Sequence, residues 1–261
     1  MPDVIGFIGI GNIASAVIEG LVTAPGQAPK VLLSPRNTAK SAALAERFAT
    51  VTVAESNQAV LDGSRTVFLS VRPQAVPDVL RPLRFDPRHT IVSLIPLPLS
   101  TLAPLVSPAQ RTLRALVLPT CTQRLQPVPY WPETPEVQTL LERLGTPLPL
   151  RDERELNILW ASTAIISAFY AFLETVGDWA AGRGVAPATA EDYTASMAHA
   201  LARVALNGGT DRFARLAAEA ATPGGLNEQV VGTLRAGGAY AHIREALDAV
   251  LARIEIARPI S

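Results

Sequence analysis

The feature that most limits what this chain can become lies in its first two dozen residues. Val4 to Ile8 is a short apolar run dense in β-branched and aromatic side chains, the pattern of a buried strand. Gly9, Gly11 and Ala14 follow as Gly-x-Gly-x-x-Ala, and apolar residues then recur at helical spacing at Ile13, Val17 and Leu21. Strand, tight turn and helix in that order predict a unit that holds a dinucleotide at its turn. Gly9 allows the turn, Gly11 lets the backbone approach a pyrophosphate, and Ala14 lets the helix lie close to the strand. The free N–H groups and positive dipole end at the helix start form the phosphate seat.

The second strand selects the cofactor. After a turn at Ala24-Pro-Gly-Gln-Ala-Pro, Lys30-Val-Leu-Leu-Ser reads as that strand. Folds that take NAD place Asp or Glu at its end to accept hydrogen bonds from the ribose. Here it runs into Ser34-Pro35-Arg36-Asn37, with Lys40 one turn on and no acid. A carboxylate would repel a 2′-phosphate; Ser34 and Asn37 can hydrogen-bond one, and Arg36 can grip it with a charge-assisted fork. The expected cofactor is therefore NADP(H) in preference to NAD(H). Residues 65–71 read as a central strand ending at Arg72-Pro73-Gln74. Ligands of open α/β sheets lie beyond the carboxyl ends of strands, so Val71, Arg72 and Pro73 are expected to line the nicotinamide.

Further strands are expected at 51–53, 90–95 and 113–118, with helices at 41–48, 57–61 and 135–144. Prolines crowd residues 119–149, so strands there should be short, edge-like or irregular. From residue 152 on, helices alone are expected, at 152–182, 188–207, 211–220, 226–234 and 239–256. The change of pattern predicts an α/β protein: a Rossmann-type, mostly parallel sheet domain at 1–151, followed by an all-α substrate and dimerisation domain at 152–261.

Composition excludes several function classes. A formal net charge of zero gives no long-range pull toward nucleic acid or anionic membrane. The single Cys121 cannot form an internal disulfide and reads as a buried structural thiol. His89, His199 and His242 lack ligand spacing, so no metal site is expected. The longest apolar stretch, 158–176, contains Ser162, Thr163, Ser167, Glu174 and Thr175, and reads as a buried helix, not a membrane span. A strand begins almost at the N-terminus with no signal-like segment before it, which gives a cytoplasmic expectation.

Gly6-Phe-Ile-Gly-Ile-Gly-Asn-Ile-Ala, Ser34-Pro-Arg, Leu69-Ser-Val-Arg-Pro-Gln, Ile91-Val-Ser-Leu-Ile and Thr222-Pro-Gly-Gly resemble, in order, motifs of the pyrroline-5-carboxylate reductase family. The resemblance implies reduction of a cyclic imine to proline with NAD(P)H. It also implies a homodimer with interlocked helical domains and a substrate pocket where the subunits meet. The implied cofactor contacts are Gly9, Gly11, Asn12, Ile13, Ser34, Arg36, Asn57 and Val71 through Pro73, joined by Asn37 from the residue chemistry. The substrate motifs depart from the family. Its Gly-Ser-Gly-Pro-Ala-Tyr is replaced by Ser162-Thr-Ala-Ile-Ile-Ser-Ala-Phe-Tyr-Ala-Phe, with Phe172 at the Tyr and Ser167 or Ala168 near the Ser. Leu118-Pro119-Thr120 replaces Met-Pro-Asn, and Asn227 replaces the Thr that the family sets near the imine nitrogen. A larger, differently shaped pocket is implied.

Substrate contacts are accordingly expected at Thr120, Ser167, Thr222, Gly224, Gly225 and Asn227. The Pro223-Gly224-Gly225 loop precedes a helix at Leu226, so its N–H groups are expected to seat a carboxylate. Asn227 is expected to orient the imine nitrogen and Tyr170 to donate a proton. The only lysines are Lys30 and Lys40, so the helical-domain lysine used by relatives that oxidise β-hydroxy acids is missing. The expected activity is NADPH-dependent reduction of a C=N bond in a cyclic imino acid. Two alternatives stay open: an NADP-binding sensor or partner protein without catalysis, and a reductase of another small carbonyl substrate. Alanine-rich helices with wide apolar faces predict a homodimer through residues beyond Arg151.

Overall fold

The computed structural model describes residues 4–207 and 209–256. They form two compact units: one runs to Trp160 and takes in the chain from Leu251 on, and the other is Ala161–Val250.

The first unit is built on eight strands: β1 (Ile5–Ile8), β2 (Val31–Leu33), β3 (Val51–Val53), β4 (Thr66–Leu69), β5 (Thr90–Ser93), β6 (Arg111–Ala115), β7 (Pro127–Trp131) and β8 (Thr146–Pro149). Their spatial order is β3-β2-β1-β4-β5-β6-β7-β8. Every pairing is parallel except β6 with β7. The connecting helices are α1 (Asn12–Thr23), α2 (Thr38–Arg47), α3 (Asn57–Asp62), α4 (Val76–Leu80), α5 (Leu99–Val106) and α6 (Pro135–Glu142). The order reverses between β1 and β4, which opens a crevice at the carboxyl ends of those strands.

Strand β1 shows why this sequence makes a central strand. All four of its residues are buried, as two covered faces demand. Phe7 points into the layer holding Ala14 and Val17 of α1 and stacks on Phe68 at 4.8 Å, whereas its neighbour Ile8 points into the layer of Val60 and Val76. The proline-rich stretch also joins the sheet as two short strands: β8 is at the edge as expected, whereas β7 lies inside, paired with β6 on one side and β8 on the other. The carbonyls of Gln126, Pro129 and Tyr130 accept from Thr146, Leu116 and Leu150. Pro129 accepts from Leu116 but has no N–H to return the bond, so the β6–β7 ladder is short.

A polar clip fastens the next helix, α7 (Glu153–Ser162), to the sheet. Arg114 of β6, fully buried, donates from Nη1 to Glu153 Oε1 at 2.7 Å and to Asn157 Oδ1 at 2.8 Å. Its guanidinium also lies 5.0 Å from the Trp160 ring centre. Glu153 Oε1 accepts a second bond, 2.7 Å, from the Leu99 amide at the head of α5. The division between the compact units consequently falls inside α7, later than the boundary expected at Arg151.

The second unit holds α8 (Ile165–Ala181), α9 (Pro187–Leu206), α10 (Arg212–Ala220), α11 (Leu226–Ala236) and most of α12 (Ala239–Glu255). The single helix expected at 152–182 is two, broken by a turn at Thr163 and Ala164. Nor is its apolar stretch buried: Phe169, Tyr170 and Phe172 are about half exposed, at 47%, 59% and 54%. Apolar periodicity reports a face that needs covering, but not which chain covers it. Only a narrow strip of α8 is covered within the unit, where Gly177 is buried and Ala190 and Thr194 of α9 are buried too. Glu153–Ala181 is long and apolar enough by composition to span a bilayer, with an apolar window of mean hydropathy 1.6. Its helix α8 nevertheless carries Glu174 and Asp178, and an acid at the centre of a bilayer costs about 3 kcal/mol.

Candidate cofactor and substrate sites

A cleft of about 920 Å³ opens at the carboxyl ends of β1, β2 and β4. Its wall is made by Gly9 to Asn12, Arg36 to Lys40, Ser70 to Arg72, and Ala75. Gly9 has φ +91°, and a Cβ there would stand 2.6 Å from the Ser70 carbonyl oxygen and from Val71 Cγ1. Only glycine lets the turn after β1 pass so close to the turn after β4. At Gly11 the reverse holds: no atom lies within 4 Å of where a Cβ would be, because that space is open cleft. Gly11 caps α1 without a side-chain bond, and no acid stands in the first turn of the helix. The leading N–H groups are thus free of any in-chain carboxylate, as an anion seat requires. A pyrophosphate fits this cradle, and a side chain at Gly11 would fill it.

The second lip of the cleft is the start of α2. Arg36 is exposed on it, and Asn37 donates from Nδ2 to the Ile10 carbonyl at 2.8 Å, tying this lip to the glycine turn. Lys40, absent from the expected site residues, also lines the cleft, and its ammonium donates to Asn12 Oδ1. Its position one helical turn after Arg36 was the available signal. None of the residues lining the cleft carries a carboxylate.

Four expected cofactor residues fall elsewhere. Ser34 is buried, its Oγ accepting from the Gly9 N–H at 3.0 Å and its carbonyl accepting from the Ser41 hydroxyl at 3.0 Å. It braces the glycine turn from below instead of facing a phosphate. Ile13 packs against the core under α1, Asn57 opens α3 behind its Ser56 cap, and Pro73 starts a 3₁₀ turn (Pro73–Ala75); all three lie outside the lining. Gly9, Gly11, Asn12, Arg36, Asn37, Val71 and Arg72 are all brought together.

Thr120 lies on a 3₁₀ turn (Pro119–Gln123), where its hydroxyl donates to the Gln126 side-chain oxygen at 3.2 Å, outside this cleft. Its neighbour Cys121 is fully buried, and burial pushes the thiol up to about 11, in keeping with a structural role. No group of three His, Cys, Asp or Glu suited to a metal occurs among the described residues.

Within the helical unit, a cleft of about 610 Å³ lies between α8 and α9. It brings together two expected residues, Ser167 and Tyr170, beside Glu174, Asp178, Glu191 and Thr194. The Tyr170 ring rests against Phe169 with centres 5.8 Å apart. Thr222, Gly224 and Gly225, on the α10–α11 turn, and Asn227, in the first turn of α11, are outside that lining. There the expected carboxylate seat is held by the chain itself: the Gly224 N–H donates to Glu228 Oε2 at 2.7 Å. Glu228 sits in the first turn of α11 and reaches back past the N-cap Gly225 to the residue before it, a near relative of the capping box. The Gly225 N–H donates to the Thr222 carbonyl at 2.8 Å. Asn227 Nδ2 donates at 3.1 Å to the carbonyl of Ala220, which closes α10. The donor expected to meet an imine is therefore engaged in joining two helices.

Sheet order, glycine turn and cation-lined cleft together define a Rossmann-type dinucleotide-binding protein. Residues 4–96 match the family model described as NADP oxidoreductase coenzyme F420-dependent, and residues 153–256 match that of pyrroline-5-carboxylate reductase dimerisation. Pyrroline-5-carboxylate reductase 3 of Danio rerio is 30% identical, over 99% of this chain and 93% of its own length. The crystal structure of 1-pyrroline-5-carboxylate reductase from Streptococcus pyogenes superposes with a TM-score of 0.84 at 23% identity, covering 97% of this chain and 98% of that one. A Plasmodium falciparum pyrroline carboxylate reductase with NADP bound gives 0.83 at 16% identity, covering 98% of each chain. The chain belongs to the pyrroline-5-carboxylate reductase family, with a Rossmann-like domain followed by an all-α dimerisation domain. The NADP oxidoreductase match agrees with the preference for NADP(H) read from Arg36 and the missing acid.

Proposed function

We propose that this chain is an NADPH-dependent reductase of the C=N bond of a cyclic imino acid, working as a homodimer through its helical half. The observation that carries this reading is the uncapped start of α1 in a cleft with cations and no carboxylate, within a chain of this family. Bound there, NADPH supplies the hydride. The N–H groups following Gly11 would hold its pyrophosphate, Arg36 and Asn37 its 2′-phosphate, and Val71 and Arg72 would border the ring end. In the helical half, Ser167 and Tyr170 share one cleft, and the Tyr170 hydroxyl is a proton donor for the nascent amine. Exposed Phe169, Phe172, Trp179, Leu201 and Leu206 on α8 and α9 support the dimer, because a broad apolar face marks an interface.

A second reading, an NADP-binding partner protein without turnover, is favoured by Glu228 on the Gly224 N–H and by the engagement of Asn227 with Ala220. NADPH consumption by the folded protein, with pyrroline-5-carboxylate and piperideine carboxylates as substrates, separates the two. Turnover of any of them supports the reductase. Tight NADPH binding with no turnover on the whole panel supports the second reading. Light scattering tests the assembly, and a stable monomer would refute it.

A further inference from the structure

We propose that Lys40 is the second cation of the 2′-phosphate site, and that Arg36 and Lys40 as a pair set the preference for NADPH over NADH. This rests on reading the cleft as a dinucleotide site. Both residues line the same cleft, Arg36 on the loop before α2 and Lys40 in the first turn of that helix. Lys40 is half-buried, and its bond to Asn12 Oδ1 holds the ammonium across the cleft, beside the first residue of α1.

That placement is electrostatically unfavourable for the protein by itself. The starts of α1 and α2 both present the positive end of a helix dipole, and a cation there is repelled. Neither helix has an acid in its first turn. Among the described residues no ion pair includes Arg36 or Lys40, although the same helix sends Arg47 to Glu19 at 2.6 Å. Two helix ends, a guanidinium and an ammonium thus converge without any in-chain anion. A dinucleotide with a 2′-phosphate supplies two separated anionic groups. The pyrophosphate answers the start of α1; the 2′-phosphate answers Arg36 and Lys40. Arg36 offers a planar fork, and Lys40 adds a compact charge with donors to spare beyond the one given to Asn12. An NADH ribose, which carries hydroxyls and no charge, gains far less from the ammonium.

Calorimetric titration of the full chain with adenosine 2′,5′-bisphosphate, 5′-AMP, NADPH and NADH tests this without turnover. Lys40→Met should weaken adenosine 2′,5′-bisphosphate and NADPH by about tenfold to a hundredfold, the usual weight of one charge-assisted contact. Binding of 5′-AMP and NADH should be unchanged. Arg36→Met should show the same selective loss. Equal losses for ligands with and without the 2′-phosphate would overturn the proposal, since Lys40 would then act only by shaping the α1 turn through Asn12. So would a Lys40→Met chain that binds NADPH as the parent does. A parent chain that binds none of the four ligands would sink the cofactor reading itself, which is a distinct result. Thermal melting checks that each variant is folded.

Discussion

Two glycine-rich turns lead into helices in this chain, and they have opposite fates. Both offer backbone donors and the positive end of a helix, the elements of an anion seat. Before α1, the cap at Gly11 makes no side-chain bond, the first turn has no acid, and Arg36 and Lys40 stand across the cleft. Before α11, Glu228 turns back and takes the Gly224 N–H for itself. The first turn keeps its donors clear of any in-chain carboxylate; the second is closed by its own helix. A glycine-rich helix start is thus an open anion site only where the first helical turn brings no acceptor of its own.

The contrast can be broken most forcefully at Gly9. With φ +91° and the Ser70 carbonyl 2.6 Å from where a Cβ would stand, Gly9→Ala should cost several kcal/mol, the sum of about 1–2 for the left-handed backbone and about 1–3 for overpacking. NADPH binding should be lost with it. Gly224 has φ +70° and nothing within 4 Å, so Gly224→Ala should cost only about 1–2 kcal/mol. Denaturant titration of both variants would erase the distinction if the two costs came out equal.

Gly11 separates binding from folding. Gly11→Ala meets no protein atom, so it should cost about 1 kcal/mol or less as a poorer cap, yet weaken NADPH by about a hundredfold by filling the cradle. Calorimetry alongside a melt reads both. Glu228 sharpens the other side. Glu228→Ala should lose about 1 kcal/mol with the cap, whereas Glu228→Gln keeps a capping side chain but gives up the charge. The KM for a carboxylated imine should then fall a few-fold in the Gln variant, with that for an uncharged imine unmoved. No shift in either would leave this turn purely structural.

The smallest effect belongs to neither turn and serves as a control. His89 is buried at the amino end of β5, the edge of the sheet opposite the cofactor cleft. Its Nδ1 accepts from the Asp86 N–H at 3.0 Å and its Nε2 lies 3.1 Å from the Leu61 carbonyl, an arrangement that suits the neutral ring. Burial is the main cause holding its pKa below the ordinary value of 6.5. The unfolded chain therefore takes up this proton first as pH falls. Stability from this residue is full above about 6.5 and declines below it. Urea midpoints across neutral to mildly acid buffer should show that slope, and His89→Gln should flatten it.

The cofactor cleft was legible because its parts are local. Gly9, Gly11, Arg36, Asn37, Val71 and Arg72 each follow a short apolar strand, and parallel pairing carries all those strand ends to one edge. Ser34 lies beneath the turn and not in the cleft because its place depends on register: its N–H bonds to the Phe7 carbonyl, and that pairing turns its hydroxyl under Gly9. The helical half was less legible. Its apolar spacing marked the right helices but could not show the break at Thr163 and Ala164 or the exposure of Phe169 and Phe172. The closure of the second turn by Glu228 was within reach of sequence, since an acid in the first turn of a helix is a local capping signal.

The buried clip around Arg114 has a mechanical consequence. One oxygen, Glu153 Oε1, fastens α7 to a strand and to the head of another helix together, so tension on the dimerisation segment at 153–256 loads both at its root. That corner should rupture as a single event instead of peeling bond by bond, because freeing Glu153 strands a sealed guanidinium at a cost of about 3–5 kcal/mol.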